Sequence, residues 1–244
     1  MQGDFRELTV VTLGGLGEIG RNMTVIGYGD DWLIIDSGIL FPGEQYLGVD
    51  FIIPDFSYVA DNIDKIKAVL ITHGHEDHIG AVPYLLREFN LPVYAPQLAV
   101  GLLGSKLREK APDRIDNLHT INTGSPIKFG SLQVEFFPVS HSIPDATGIA
   151  IKTPLGTVIH TGDFKIDHTP VDGKPSDLRA LAGLAPEGAF LLMSDSTYAE
   201  IEGYTPSERI VAESIDDVIR GAQGRVVIAT FASLISRIQM AIDS

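Results

Sequence analysis

The stretch Val69-Leu-Ile-Thr-His-Gly-His-Glu-Asp-His-Ile-Gly80 decides the fold of this chain. It opens as an apolar strand that ends at Thr72, and a helical pattern begins near Ile79. Four side chains that can bind metal therefore lie in one strand-to-helix loop: His73, His75, Asp77 and His78. The first two histidines are two residues apart, so in an extended segment they point the same way.

The ligand types in this loop indicate the chemistry. The chain has 244 residues and no cysteine, so any metal is held by imidazole and carboxylate groups. That ligand set is typical of hydrolytic zinc or manganese sites. The alternative is a polar surface loop whose histidines only titrate. Three of the seven histidines fall within six residues directly after a buried strand, which favours the metal site.

Two later residues extend the set. His141 follows an apolar strand pattern and precedes Ser142-Ile-Pro-Asp145, and Asp163 follows Val158-Ile-His-Thr-Gly162. Each therefore lies at the end of a strand, where a single histidine or aspartate is usually a turn residue. Together with the loop, they supply a third imidazole for one ion and a carboxylate able to bridge two.

A glycine motif near the start has the letters of a dinucleotide-binding fingerprint. Gly15-Leu-Gly-Glu-Ile-Gly20 fits G-x-G-x-x-G, and Asp36 follows about twenty residues later. A phosphate-binding glycine loop must open a helix whose amides face the pyrophosphate. The segment 21–29 instead has the pattern of a strand and a turn, with no room for a helix before Trp32. We therefore expect no dinucleotide site, and expect the glycines to bring backbone close to another site.

Composition limits the class of protein. No apolar run reaches the roughly 18 residues of a membrane span, and the N-terminus is not a secretory signal. The absence of cysteine favours a reducing, cytoplasmic setting. The net charge of −14 argues against nucleic acid as a partner, because nucleic acid binds basic surfaces. Two divalent cations would reverse the local charge where a phosphate binds, so this objection is incomplete.

The distribution of apolar runs predicts a mixed α/β (α+β) fold. Strands are predicted at 7–13, 23–28, 32–36, 67–71, 132–139, 148–153, 156–161, 190–195 and 225–230. Helices are predicted at 79–89, 97–110, 176–184, 206–221 and from 233 to the end. Strands in hairpins followed by strands alternating with helices indicate sheets covered by helices. The chain ends inside an apolar-faced helix without a cap, so we expect an incomplete first domain over 1–205 and the beginning of a second over 206–244.

The His-x-His-x-Asp-His loop, with Asp36, His141 and Asp163, resembles the metallo-β-lactamase superfamily. The resemblance implies an αββα sandwich with metals at the strand ends. It implies that His73, His75 and His141 hold one metal, that Asp77 and His78 hold the other, and that Asp163 bridges them. It also implies that Asp36 orients the cluster from behind the ligands, and that the cofactor is two Zn²⁺, with Mn²⁺ or Mg²⁺ as alternatives.

The segments GGLGEIGRNM, LITHGHEDHIGAVPYLL, HSIPDA, HTGDFKID and SDST resemble the ribonuclease J family, within the β-CASP nuclease branch. This resemblance implies cleavage of single-stranded RNA by exonucleolytic (5′→3′) and endonucleolytic modes, leaving 5′-phosphate and 3′-hydroxyl. It implies a catalytic role for Asp77, and for Asp195 as the partner of a proton-donating histidine further along the chain. It also implies that residues after 205 begin a β-CASP domain, and that the full-length protein is a dimer or tetramer.

The sequence departs from the family at one point. No histidine follows His168, although the family takes a catalytic histidine and a ligand of the second metal from later in the chain. The second site keeps Asp77, His78 and Asp163, so we expect weak second-metal occupancy and little activity from this chain alone. Two alternatives stay open: another hydrolase of the superfamily, such as a thioesterase or lactamase, and a non-catalytic scaffold.

Overall fold

The computed structural model describes residues 7–44 and 46–244. Eleven strands are found in this part of the chain: β1 (Leu8–Gly14), β2 (Met23–Tyr28), β3 (Asp31–Ile35), β4 (Ile66–Leu70), β5 (Val93–Ala95), β6 (Leu118–Thr120), β7 (Ile127–Phe129), β8 (Leu132–Pro138), β9 (Thr147–Thr153), β10 (Gly156–His160) and β11 (Leu191–Met193). The α-helices are α1 (Ser57–Asp61), α2 (Glu76–Ile79), α3 (Val82–Glu88), α4 (Gln97–Lys110), α5 (Leu178–Leu184), α6 (Glu208–Gly221) and α7 (Ile235–Asp243). Short 3₁₀ helices cover Ile63–Lys65 and Pro112–Asn117.

The strands form two sheets. The first has six strands in the order β1-β2-β3-β4-β5-β6, in which β1 to β3 are antiparallel and β3 to β6 are parallel. The second has five strands in the order β11-β10-β9-β8-β7. Its only parallel pair in the described part of the chain is β10 with β11. This is the mixed α/β architecture that the sequence predicted.

The central strands are buried on both faces, which explains their continuous apolar sequence. In β3, Ile34 faces a core shared with α3 and α4, whereas Leu33 faces a core shared with the second sheet. Successive side chains of a strand point to opposite faces, so one strand serves both cores. The same alternation occurs in β4, where Val69 faces the helices and Leu70 faces the second sheet.

The second sheet completes a four-layer order of helix, sheet, sheet and helix. Its inner face contributes Val134 and Phe136 to the core between the sheets. Its outer face contributes Phe137 and Ile159, which pack with Leu184 of α5. The layers therefore match the αββα sandwich that the resemblance implied.

Most long elements lie within one or two residues of their predicted bounds, but the strand predicted at 225–230 is wrong. Those residues are neither helix nor strand, and Val227 is 84% exposed. A strand requires a neighbouring strand for its backbone hydrogen bonds. In the part of the chain that the structure describes, none pairs with 225–230. The helix predicted at 79–89 corresponds mainly to α3, which begins at Val82. Ile79 is instead the last residue of α2, which begins at Glu76.

The segment after β11 is mostly helical. Residues 194–207 contain no helix or strand, and α6 and α7 then pack against each other. A domain boundary near residue 205 stays a prediction. None of the described helices is both long and apolar enough to cross a bilayer.

We predict that Phe136→Ala strongly destabilises the fold. The Phe136 side chain is 1% exposed between the two sheets, so its loss leaves a cavity and should lower the free energy of unfolding by about 3–5 kcal/mol. Phe231→Ala is the matched control, because Phe231 is 77% exposed. Urea unfolding of both variants checks this, and equal effects would contradict the two-sheet core.

Candidate metal centre

The polar side chains of the centre follow the C-terminal ends of strands from both sheets. These strands and side chains are β3 with Asp36, β4 with Thr72 and His73, β8 with His141, β10 with Asp163, and β11 with Asp195. The buried residues of the central strands β3 and β4 are apolar, and the polar side chains of the centre lie beyond the ends of these strands. Parallel neighbours such as β3 and β4 end at the same edge, and this brings residues distant in sequence together.

Three imidazoles converge on one point. His73 Nε2 lies 3.1 Å from His75 Nδ1, and His141 Nε2 lies 3.2 Å from the same atom. Ligand nitrogens around a tetrahedral zinc ion with Zn–N bonds near 2.05 Å are about 3.3 Å apart. The three nitrogens therefore have the spacing of ligands around one ion. They are one of two potential metal-binding groups found among the described residues.

The second of these groups shares His73 with the first and adds His78 and Asp163, and the Asp77 carboxylate lies next to it. His78 Nε2 is 3.5 Å from Asp77 Oδ2 and 3.4 Å from Asp163 Oδ1. The side-chain amide of Asn22 lies 3.2 Å from the same His78 nitrogen, and its Nδ2 donates to the Asp77 carbonyl oxygen at 3.1 Å. One imidazole and two carboxylates fit a divalent cation, and Asn22 borders that position.

The two oxygens of Asp163 point to different groups. Oδ1 lies 3.4 Å from His78 Nε2, whereas Oδ2 lies 3.7 Å from His141 Nε2 and 4.0 Å from His73 Nε2. A carboxylate in this position can contribute one oxygen to each of two cations. The donor set therefore fits a two-metal centre.

Asp36 sets the protonation of two histidines. It is 1% exposed, and its carboxylate accepts hydrogen bonds from the Thr72 amide, the Thr72 hydroxyl and His78 Nδ1, each at 2.8 Å. Because the Thr72 hydroxyl proton is used in this way, His73 Nδ1, 3.0 Å from that oxygen, must donate to it. Both histidines thus hold a proton on Nδ1, which leaves Nε2 as the nitrogen available to bind a cation.

Close backbone contacts hold the Asp77 loop. Asn22 N–H donates to the Asp77 carbonyl, Ser37 N–H donates to the His78 carbonyl, and Gly38 N–H donates to the Asn22 carbonyl. A Cβ at residue 38 would overlap the carbonyl of Asp77. Glycine is therefore required at residue 38, because only it allows this close approach.

Burial keeps the first group unprotonated. Burial lowers the pKa of His73 well below its usual value, and neighbouring histidines lower it further. Burial also lowers the pKa of His75, and lowers the pKa of His141 to about 4. Metal binding requires neutral imidazole, so this group is ready to bind near neutral pH.

The second group has the opposite electrostatics. Burial alone lowers the pKa of His78, but the carboxylates of Asp36 and Asp163 outweigh it and raise that pKa well above its usual value. Burial raises the pKa of Asp163, but the surrounding histidines outweigh it and hold that pKa at about 2. A cation bound here would therefore displace a proton from His78.

Asp195 lies beside the centre but outside both groups. Its Oδ1 accepts from the backbone and hydroxyl of Thr197, and its Oδ2 lies 3.4 Å from the donating amide of Phe164. The two groups of potential metal-binding residues include neither Asp195 nor Asp77, but Asp77 Oδ2 lies 3.5 Å from His78 Nε2. The side chains of Asn22 and Thr72 were not predicted. For each of these two residues, the only signal in the sequence was its position next to an apolar strand.

The remaining histidines lie outside the two ligand groups. His160 is partly buried, and its Nδ1 accepts from the Gly162 amide at 3.1 Å. His119 stacks on Tyr94 with ring centroids 4.9 Å apart. His168 is exposed.

The glycine motif at 15–20 lines a groove beside the second group. The groove has a volume of about 860 Å³ and reaches Asp77, His78 and Asp163. The motif is followed by β2, a strand, so the prediction that it opens no helix is confirmed. Leu16 and Ile19 expose 78% and 72% of their surfaces there.

Comparison with known proteins agrees with the fold and the metal-binding groups described above. The family model for the metallo-beta-lactamase superfamily matches residues 16–219. Ribonuclease J 1 of Streptococcus pyogenes is 49% identical over 238 residues, which are 98% of this chain and 42% of that protein. Ribonuclease J of Helicobacter pylori is 48% identical over 235 residues, which are 96% of this chain and 34% of that protein. This chain thus spans less than half the length of these relatives, and the expected resemblance is confirmed.

A solved structure supports the fold independently. A crystal structure of a protein of unknown function from Enterococcus faecalis V583 has a TM-score of 0.67 to this chain at 19% identity. The match covers 98% of this chain and 64% of that one. At this identity the likeness shows the fold alone.

We predict that the metal-free protein loses stability as the pH falls from 6.5 towards 4. In this window the unfolded chain binds protons on His73, His75 and His141, whose folded pKa values are lowered. Each proton taken up only by the unfolded chain costs about 1.4 kcal/mol per pH unit. Urea unfolding between pH 7 and 4.5 should show this decline, with a shallower slope for His141→Gln. Equal slopes for the variant and the native protein would contradict a lowered pKa at His141.

We further predict that Asp36→Asn weakens metal binding by about 10- to 100-fold, the range for residues that orient a ligand from behind. The amide cannot accept from Thr72 and His78 as the carboxylate does, so the orientation of His78 is lost. Asp61→Asn is the control, because Asp61 is exposed at the end of α1. Competition with a chelator measures the affinity, and an unchanged value for Asp36→Asn would refute the orienting role.

Proposed function

Because this chain belongs to the metallo-beta-lactamase superfamily, we propose that it carries the metal-binding half of a divalent-metal-dependent phosphodiesterase that cleaves RNA. Its relatives in Streptococcus pyogenes and Helicobacter pylori are named ribonuclease J and align with nearly the whole chain. The substrate we propose is single-stranded RNA, cleaved by exonucleolytic (5′→3′) and endonucleolytic modes.

The observation that carries this proposal is the position of the Asp163 carboxylate between two ligand groups. Each of its oxygens faces a different group at 3.4–4.0 Å. A hydrolase with one metal ion does not require a carboxylate whose two oxygens face two ligand groups. Two cations about 3.5–4 Å apart are the arrangement that stabilises the attacking and leaving oxygens of a phosphodiester.

The residues have separate roles in this proposal. His73, His75 and His141 would hold the first cation, Asp77 and His78 would hold the second, and Asp163 would contribute to both. When bound, such cations lower the pKa of water and neutralise phosphoryl oxygens. In the proposed reaction hydroxide would attack phosphorus and the P–O3′ bond would break, giving a 5′-phosphate and a 3′-hydroxyl. Asp36 keeps the Nε2 lone pairs of His73 and His78 directed at the cations.

Further elements of the proposal concern the full-length protein. Zn²⁺ is the proposed metal, with Mn²⁺ or Mg²⁺ as alternatives, because the ligands are nitrogen and carboxylate oxygen. The proposed role of Asp195 is to orient a proton-donating histidine from a later part of the protein, which protonates the leaving oxygen. We also propose that the protein is cytoplasmic and forms a dimer or tetramer, and that residues from 206 begin its second domain.

The experiment is cleavage of 5′-labelled single-stranded RNA by the full-length protein with added Zn²⁺ or Mn²⁺. We expect Asp163→Asn to lower kcat/KM by at least about two orders of magnitude, because a cation contributes several kcal/mol to the transition state. The control is Asp116→Asn, because Asp116 is exposed and precedes β6, opposite the edge that carries the ligands.

Hydrolysis of a thioester and of a β-lactam should be assayed with the same preparation of full-length protein. Hydrolysis of either at a rate exceeding RNA cleavage would support another hydrolase of the superfamily. Absence of all three activities in metal-loaded full-length protein would support a scaffold.

A further inference from the structure

Two loops that carry proposed metal ligands are joined behind the centre. The loop after β8 carries His141, and the loop after β10 carries Asp163. The Lys165 amide donates to the Ser140 carbonyl at 2.9 Å. Ser176 connects them again, because its hydroxyl donates to the Lys165 carbonyl and accepts from the Ser140 amide. A shift of the backbone at residue 165 therefore moves both loops.

The Lys165 side chain reaches in the opposite direction, to the start of α6. Its ammonium lies 2.7 Å from Glu208 Oε1 and donates to the Pro206 carbonyl at 3.0 Å. The other oxygen, Glu208 Oε2, lies 2.9 Å from Arg237 Nη2 of α7 and makes no hydrogen bond there, so that contact is an ion pair. The Glu208 side chain is 12% exposed and the Lys165 side chain 18%, so water screens this pair little.

A second contact from the same loop reaches the same helix terminus. The carboxylate of Asp167, a buried residue, accepts from the Glu208 amide at 2.8 Å. The Ser207 hydroxyl donates to the Thr169 carbonyl at 2.9 Å. The start of α6 is therefore held by both its backbone and its side chains.

The same helices also border a metal ligand directly. A small cavity of about 20 Å³ is lined by His141 and Ser140 on one side, and by Glu208, Ser236 and Met240 on the other. Met240 of α7 is 4% exposed. Helices α6 and α7 thus lie against the loop that carries His141, as well as being connected to the loop that carries Asp163.

We propose that Lys165 and Glu208 form an ionic clamp through which α6 and α7 position the loops carrying His141 and Asp163. The proposal rests on the metal centre described under the proposed function. Lys165 and Glu208 are positioning residues, since neither belongs to a ligand group. Metal retention then depends on whether α6 is docked, so the residues after 205 influence the centre without providing a ligand.

The test is Zn²⁺ affinity of the 244-residue chain, measured by chelator competition. Glu208→Gln keeps the size of the side chain but removes the charge that separates Lys165 from Arg237. We expect Zn²⁺ binding at the first group to weaken about 5-fold or more, the usual lower range for coupled sites. Glu213→Gln is the matched control on the same helix, because the Glu213 side chain is 66% exposed and its ion pair with Arg209, at 3.5 Å, is open to solvent.

A double-mutant cycle separates the clamp from general destabilisation. Lys165→Met removes the same contact from the other side, so the loss of Zn²⁺ affinity in the double variant should be smaller than the sum of the two single losses. Fully additive losses would overturn the clamp. Hydrogen exchange gives a second measurement: the Lys165 amide should exchange faster in Glu208→Gln than in Glu213→Gln. If Glu208→Gln folds poorly, the Zn²⁺ affinity of Lys165→Met and the exchange of its amide at residue 165 decide the matter.

The outcomes distinguish the two proposals. If the native chain binds no Zn²⁺, the metal centre fails and the clamp fails with it. If the native chain binds Zn²⁺, but Glu208→Gln, Lys165→Met and Glu213→Gln all bind it equally well, the clamp alone is wrong.

Discussion

The centre depends on one buried carboxylate. Asp36 has a positive φ of 60° at the end of β3, and it accepts three hydrogen bonds from Thr72 and His78. An unpaired charge at this depth would be costly, and these donors offset that cost. Through the same bonds, Asp36 determines which nitrogen of His73 and of His78 stays free. One side chain therefore prepares a ligand in each of the two groups.

The arrangement follows from strands that are buried on both faces. Where β3 and β4 are packed on both faces their side chains are apolar, and the polar groups of the centre lie just beyond the ends of these strands. The loops there must approach one another closely, and the segment after Asp36 meets the Asp77 loop backbone to backbone at Gly38. Close packing of the layers and crowding of ligands at one edge thus have the same origin.

Much of the fold could be predicted from periodicity, and the ligand loop from the clustering of histidines. The strands Val93–Ala95, Leu118–Thr120 and Ile127–Phe129 were missed, because three residues are too few to show an alternation of period two. The error at 225–230 arose because apolar β-branched residues indicate a strand but not its partner. The contacts of Thr72 with Asp36, and of Lys165 with Glu208, join residues 36 and 43 positions apart, so local sequence gave no signal for them.

The proposed ligands are divided between the two sheets, and this has a mechanical consequence. His73, His75, Asp77 and His78 follow a strand of the first sheet, whereas His141 and Asp163 follow strands of the second. An ion held by both sets is a cross-link across the sandwich interface, and its binding energy opposes separation of the layers. By reciprocity, loosening of the apolar interior far from any ligand lowers the affinity of the centre for the ion. The affinity for the ion therefore reports how firmly the two halves of the sandwich are joined.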